Sequence, residues 1–354
     1  MSKVVSVAVE CDDILRNACT AFDYRFDGTS TFALPSVTPR ARDGSWAIGL
    51  ITGPSGSGKT LLAASHYGIT PAPSWDATRA VASHFSSSAD AIERLTAVGL
   101  NSIPSWCKPY HVLSTGEQFR CNVARVLGSD VAVDEFTSVV DRTVAKATSY
   151  AVQRHIRSKG LSGVVFVSCH RDIIEWLMPD WVIDTLDESV SSGRLVQRPS
   201  ITVSISQCSW REWGIFRHHH YLSRDINKAA RCYLATIGNY PVGFMSCLSM
   251  PIGTIKNAWR EHRTVVLPDY QGLGIGVRLS DWLGAFNVSL GRRYFSKTTH
   301  PRMGEYRNNS PLWKPTSKNG LVREFNGKGT YNNMHKSLRT GVACYSHEYV
   351  GSMA

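Results

Sequence analysis

An apolar run, Ala47-Ile48-Gly49-Leu50-Ile51-Thr52, passes without a break into Gly53-Pro54-Ser55-Gly56-Ser57-Gly58-Lys59-Thr60, and no other stretch of the 354 residues restricts the fold so far. Its branched aliphatic residues predict a buried strand. Leu61-Leu62-Ala63-Ala64, which follows, reads as the opening of a helix. Between the two, G-x-x-x-x-G-K-T supplies what a phosphate-binding loop needs. Gly53, Ser55, Gly56 and Gly58 let successive backbone N–H groups converge on an anion at the helix N-terminus. Lys59 adds a point charge for β- and γ-phosphates, and the Thr60 hydroxyl is a ligand for Mg2+.

A second apolar run, Asp130-Val131-Ala132-Val133-Asp134-Glu135, predicts another buried strand ending in two carboxylates. Asp134 is placed to hold the Mg2+ shell, and Glu135 to polarise an attacking water in phosphoryl transfer. Leu113-Ser114-Thr115-Gly116-Glu117 precedes this run; Ser138-Val139-Val140-Asp141 and a strand over Val164–Ser168, leading to His170, follow it. In this order the elements resemble those of ABC-type ATPases: P-loop, signature motif with Thr and Glu at its third and fifth positions, Walker B strand, D-loop and H-switch. The resemblance implies ATP as ligand and His170 as a catalytic residue beside Glu135. It also implies an ATP-dependent homodimer, in which Ser114 and Gly116 of one copy face the P-loop of the other. Two features depart from the transporter pattern. Lys59 to Ser114 is only 55 residues, and residues 61–117 hold no Gln for a Q-loop, a place for which His84 is the candidate.

No apolar stretch approaches the roughly 20 residues of a membrane-spanning helix, and the N-terminus, broken by Glu10, Asp12 and Asp13, lacks a secretory signal. A cytoplasmic protein without a membrane partner is expected. Nine cysteines, an odd number with no C-x-x-C pair, suit reduced thiols and neither a disulfide framework nor a zinc site.

Asp184 to Gln197 reads as the last hairpin of the first half, and composition changes after Pro199, which divides the chain into domains 1–198 and 199–354. Charge divides there too. Residues 1–200 carry 19 Lys and Arg against 20 Asp and Glu, whereas residues 201–354 carry 20 against 8, so the net +11 comes from the second half. Aromatics lie beside its basic residues, as in Trp210-Arg211, Arg293-Tyr294-Phe295 and Trp313-Lys314. Such a surface attracts phosphate backbones and can stack bases, which predicts a nucleic-acid partner for residues 201–354.

The sharpest motif of that half is Gln271-Gly272-Leu273-Gly274-Ile275-Gly276, after Val265-Val266-Leu267 and before an amphipathic Val277–Leu283. Gly272, Gly274 and Gly276 expose backbone N–H groups at a helix start, again an anion nest. Q-x-x-G-x-G after a strand resembles the GNAT family of N-acetyltransferases, and Arg231–Ile237, Gly238-Asn239 and Pro241–Leu248 read as the hairpin that precedes that strand in the fold. The resemblance implies acetyl-CoA or another acyl-CoA, with its pyrophosphate on the nest. Over its whole length the chain resembles a family that joins an ABC-type ATPase to a GNAT-like domain. Phe216–Ser223 and the polar run Ser296–Asn309 are loosely similar to Mom-type enzymes that modify adenine in phage DNA.

Acyl transfer needs a deprotonated amine and a protonated leaving thiolate. Tyr306 is the candidate acid, and His220 or Glu261 the candidate base. Consecutive His218, His219 and His220 cannot all point one way, which argues against a closed metal site. The expected fold class is α/β: a P-loop ABC-type ATPase domain followed by a mixed α+β GNAT acyltransferase domain. The expected function is N-acylation of an amine on nucleic acid, gated by ATP hydrolysis. A protein or aminoacyl-tRNA N-acetyltransferase, or a nucleotide-dependent DNA-binding switch on an inactive GNAT fold, are the alternatives.

Overall fold

The run ahead of the glycine loop forms the strand Ile48–Thr52, buried at every residue. A strand buried on both faces belongs inside a covered parallel sheet. In a computed structural model that describes residues 4–192, 199–220, 225–251, 255–322 and 341–352, it has parallel partners on both sides: Val164–Ser168, with Ile48 opposite Val164, and Trp181–Asp184, with Gly49 opposite Trp181. The sheet order is Ala132–Val133, Val164–Ser168, Ile48–Thr52, Trp181–Asp184, Ser189–Ser192, and only the last strand is antiparallel. Four carboxyl ends therefore lie along one edge, which is where open α/β sheets bind ligands. Gly53, Asp134, His170 and Thr185 each follow one of those ends within two residues.

The strand at Asp130–Glu135 is shorter than its apolar pattern predicts. Only Ala132 and Val133 pair, because Asp130 turns at a φ of 59° and Glu135 at 52°. The final hairpin is present as Trp181–Asp184 with Ser189–Ser192; residues 193–198, its expected continuation, lie outside the described residues. Chain packing groups Met1–Leu100 with Lys108–Pro199 as one unit, and Asn101–Cys107 with Ser200–Ala354 as the other. A division at 198/199 does not foresee the placement of Asn101–Cys107.

The second unit is built on a sheet in the order Trp313–Pro315, Ala343–Tyr349, Arg293–Thr298, Ala258–Val266, Tyr240–Ser249, Arg231–Ile237, Ser204–Cys208. The helix Ile275–Ser289 lies on one face, and Gly284 gives the Tyr349 ring room where any Cβ would sit 2.5 Å from it. Trp213 and Phe216 cover part of the other face, against Cys232, Phe244 and Val265. The one parallel pair, Ala258–Val266 with Arg293–Thr298, holds only over Ala258–Arg260 and Arg293–Phe295. Just beyond, Ser246 faces Arg263 while Cys247 faces Glu261, so His262 is an extra residue on its strand. Such a bulge bends the strand. The two strands separate there as a fork. Of the polar run Ser296–Asn309, the start completes the strand and Pro301–Asn309 is a helix.

All nine cysteines are free, and among the described residues no helix is long and apolar enough to cross a membrane.

In the first unit Gly49 is required by packing: a Cβ there would sit 2.0 Å from the Trp181 indole, itself fully buried against Trp46. Gly49→Ala should destabilise by about 1–3 kcal/mol, the range for overpacking, and lower the first thermal transition followed by tryptophan fluorescence; an unchanged transition would refute the packing argument.

Candidate nucleotide and acyl-carrier sites

The glycine loop folds as its composition demands. Gly53, Gly56 and Gly58 have φ of 142°, 78° and 83°, and Gly58 caps the helix Lys59–Tyr67 without any side-chain cap. The N–H groups of that first turn are left for another acceptor. Open space surrounds the point where a Gly56 Cβ would be, whereas a Gly58 Cβ would meet Phe32 at 2.7 Å. Lys59 Nζ donates to Pro54 O at 2.6 Å, so the ammonium lies back across the loop. Ser57 Oγ and Thr185 Oγ1 are 2.5 Å apart, which ties the loop to the neighbouring strand end. No motif marks Thr185 in the sequence.

Asp134 accepts from the Glu135 backbone N–H at 2.9 Å, and Glu135 is exposed just past its strand. His170 comes to the same edge: its Nδ1 is 3.3 Å from Thr137 Oγ1, and its backbone N–H donates to Ser168 Oγ. Burial, then the Arg142 charge, holds the imidazole below its ordinary pKa, although Glu135 pulls the other way. On balance these neighbours favour the neutral ring. Thr60 starts the helix beside Lys59, and a hydroxyl with the Asp134 carboxylate is a hard-oxygen donor set of the kind Mg2+ takes.

Ser114 is the N-cap of the helix Thr115–Val126, and with Glu117 it forms a complete capping box: Glu117 Oε2 accepts from the Ser114 backbone N–H at 3.0 Å while Ser114 Oγ accepts from Glu117 N. Gly116 lies in that first turn. Asp141 caps the next helix, Arg142–Ser158, accepting from Thr143 N and Val144 N. His84 uses both ring nitrogens locally, Nδ1 on Ala80 O and Nε2 accepting from Asp76 N, with its ring edge-on to Trp75. It braces its own loop, and nothing in its contacts suits the Q-loop role.

In the second unit Gly272 and Gly274 have φ of 93° and 82°, and Gly274 caps the helix Ile275–Ser289, again with no side-chain cap. No atom lies within 4 Å of a Gly274 Cβ position, so the space beside the helix start is open. Gly276 is in the first turn. The Gln271 side chain turns away from this cradle: its amide donates to Val266 O at 2.9 Å and accepts from Asn101 N at 2.8 Å. It anchors the strand end, which leaves only its backbone for a cofactor.

The candidate acid and bases fare differently. Tyr306 donates its one hydroxyl proton to Asp281, and burial, followed by that carboxylate, pushes its pKa up to about 12. That commitment makes it a poor proton source for a thiolate. Burial works to raise the Glu261 pKa, but Arg307, Ser296 and Thr264 outweigh it and keep the carboxylate below its ordinary range. Arg307 Nη2 is 2.6 Å from Glu261 Oε2, Ser296 Oγ 2.5 Å from the same oxygen, and Thr264 donates to Oε1. Glu261 is thus a saturated strut across the fork and not a free base. His220 is buried, edge-on to Trp213 with centroids 5.5 Å apart. Among the described residues no cluster of three His, Cys, Asp or Glu could hold a metal ion. Sequence reasoning missed Arg307, fully buried with Nη2 also 2.7 Å from Ser280 Oγ and its guanidinium 4.6 Å from the Trp313 ring centroid. A lone Arg in a polar run carries no sequence signal of burial.

Residues 200–290 match the model of the Acetyltransferase (GNAT) family. No curated protein matches the chain. Among solved structures, the dimeric ATP-binding cassette MJ0796, in a post-hydrolysis state with ADP and Pi, is 16% identical over 49% of this chain and 96% of that one, with a TM-score of 0.38. The Bacillus subtilis acetyltransferase in complex with CoA is 13% identical over 44% of this chain and 100% of its own, TM-score 0.30. The ribosomal-protein-S18-alanine N-acetyltransferase of Escherichia coli is 12% identical over 43% and 96%, TM-score 0.30.

Two imidazoles of the second unit are held far below their ordinary 6.5, to about 4: His262 by burial, then Arg263 and Arg260, and His347 by burial, then Arg307. Below pH 6.5 the unfolded chain takes up protons that the fold refuses, so stability should fall as pH drops from 6.5 toward 4. His347 Nε2 bonds Asn308 Oδ1 at 2.8 Å, a bond that a glutamine amide can replace without titrating. His347→Gln should flatten that decline in melting temperatures recorded at pH 7, 6 and 5; parallel curves for both proteins would refute it.

Proposed function

We propose that the chain couples an ATP-hydrolysing, ABC-type domain, residues 1–198, to an acyl-CoA-dependent N-acyltransferase, residues 199–354, that modifies an amine on nucleic acid. The observation that carries this reading is the presence of two phosphate cradles of one design. Gly58, at φ 83° and ψ 10°, and Gly274, at 82° and 8°, each start a helix whose first N–H groups lack a side-chain cap.

In the first cradle Gly53, Ser55, Gly56 and Gly58 wrap the phosphates and Lys59 neutralises them. Thr60 and Asp134 would hold Mg2+, which offsets phosphate charge when bound. Glu135 accepts a proton from the attacking water, and neutral His170 orients that water from the next strand end. Ser114 and Gly116, at the start of a capped helix, close on the nucleotide of a second copy, so the dimer forms with ATP. In the second cradle Gly272, Gly274 and Gly276 hold the pyrophosphate of acetyl-CoA or another acyl-CoA, and the fork admits the thioester. The amine attacks the thioester carbon, the C–S bond breaks, the amine proton passes to His220, and the coenzyme A thiolate leaves and takes its proton from solvent. ATP turnover gates access of the nucleic acid to the fork. The Mom-type likeness draws no support from the matches above, and residues 221–223 of its first segment lie outside the described residues.

Lys59→Ala should abolish ATP binding. Glu135→Gln should keep binding, cut hydrolysis by at least about 100-fold and trap a dimer visible by light scattering; hydrolysis at the native rate would remove Glu135 from its role. Gly274→Glu should eliminate acetyl-CoA binding in calorimetry, because a carboxylate would fill the nest and repel the pyrophosphate. Native affinity in that variant would mean that the loop holds no cofactor.

A further inference from the structure

Among the described residues, the face of the second sheet opposite the helix Ile275–Ser289 is only half covered. Side chains opposite one another in a sheet share a face, and neighbours along a strand alternate. Tyr349 points to the helix side, against Gly284, and Tyr294 is its partner. Arg293, Phe295 and Lys297 therefore point the other way, with Glu348 opposite Phe295. Arg260, opposite Phe295 on the next strand, and Lys314, opposite Glu348, join them. Trp213 and Phe216 cover this face only farther along, at Cys232, Phe244 and Val265. Arg260, Arg293, Lys297 and Lys314 are exposed and Phe295 is half-buried.

Among the described residues of this patch, Glu348 is the carboxylate, and it takes two Arg293 hydrogen bonds, at 2.6 and 2.7 Å. That pair fixes the guanidinium plane with its carbon 5.2 Å from the Phe295 ring centroid. The result is a pre-set stacking surface with three further cations around it. Arg260 and Phe295 form the last paired row before the fork.

We propose that this sheet face, Arg260, Arg293, Phe295, Lys297 and Lys314, binds single-stranded nucleic acid, with a base stacked on Arg293 and Phe295 and phosphates on the outlying cations. Charge complementarity selects a polyanion. The aromatic–guanidinium pair selects an unpaired strand, because a base inside a duplex has no free face to stack. The inference rests on the proposed acyl transfer to nucleic acid and deepens it: a strand on this face passes the mouth of the fork, where an exocyclic amine freed from pairing can reach a thioester.

Fluorescence anisotropy of the full chain with labelled DNA and RNA single strands of about 16 nucleotides, and with the matching duplex, tests this across a salt series. The wild type should prefer single strands. The triple variant Arg260→Gln, Lys297→Gln, Lys314→Gln should lose about 2 from the log–log salt slope, since each phosphate contact contributes about 0.7 on single strands. Phe295→Leu should weaken single-strand binding about tenfold with its slope unchanged. Melting curves of both variants should match the wild type, which excludes misfolding. If the wild type binds and both variants bind as it does, this face is refuted while the nucleic-acid reading stands. If the wild type binds no polynucleotide at low salt, the substrate class itself falls. Equal affinity for duplex, or displacement by poly-glutamate as efficient as by unlabelled strand, also overturns the proposal.

Discussion

A glycine with positive φ between a strand and a helix is the constraint on which both units depend. A Cβ at that point is disfavoured by the backbone itself, and the missing side-chain cap leaves the first N–H groups of the helix to an outside acceptor. Gly58 and Gly274 differ by 1° in φ and 2° in ψ, although one follows the middle strand of a parallel sheet and the other an inner strand of a mostly antiparallel, forked one. Everything else at each site is positioned from that joint. In the first unit Asp134, His170 and Thr185 share an edge with the loop because parallel strands end there; in the second the fork opens because Ala258–Val266 pairs with Arg293–Thr298 over three residues only, while its pairing with Tyr240–Ser249 continues to Val266.

The fork carries a cost that its neighbours offset. Where backbone pairing ends, Glu261 replaces it with side-chain bonds to Ser296, Thr264 and Arg307. A buried carboxylate is tolerated only when paired and hydrogen-bonded, and here its partners come from both arms of the fork and from the helix Pro301–Asn309. The same demand commits Asp281, which accepts from Trp313 Nε1 at 2.8 Å and from Tyr306. Groups that look reactive in the sequence are thus tied up in holding the opening apart.

Ser114–Glu117 shows how one local pattern can satisfy two demands. S-x-x-E is a capping box by its chemistry, and the capped helix start is also an anion-facing surface. Glu117 holds the Ser114 backbone N–H while Ser114 Oγ accepts from Glu117 N, so the helix start is satisfied by its own residues.

The elements set by contiguous residues were legible without coordinates. The strands Ile48–Thr52 and Val164–Ser168, the hairpin at Gly238-Asn239, and the helix starts after Gly58 and Gly274 follow from hydrophobic runs, turn residues and conformations open to glycine. The charge imbalance of the second half is likewise a property of composition alone. What tertiary structure decided is where long-range partners fall. Glu261 meets Ser296 and Arg307, 35 and 46 residues away, and no local period encodes that separation, so a candidate base became a strut. Tyr306 met Asp281, 25 residues away, and Gln271 met Asn101 N, 170 residues away, for the same reason. Register decided the rest: Arg260, Phe295 and Glu348 come from three strands joined by long connections, and only their pairing places them on one face of the sheet.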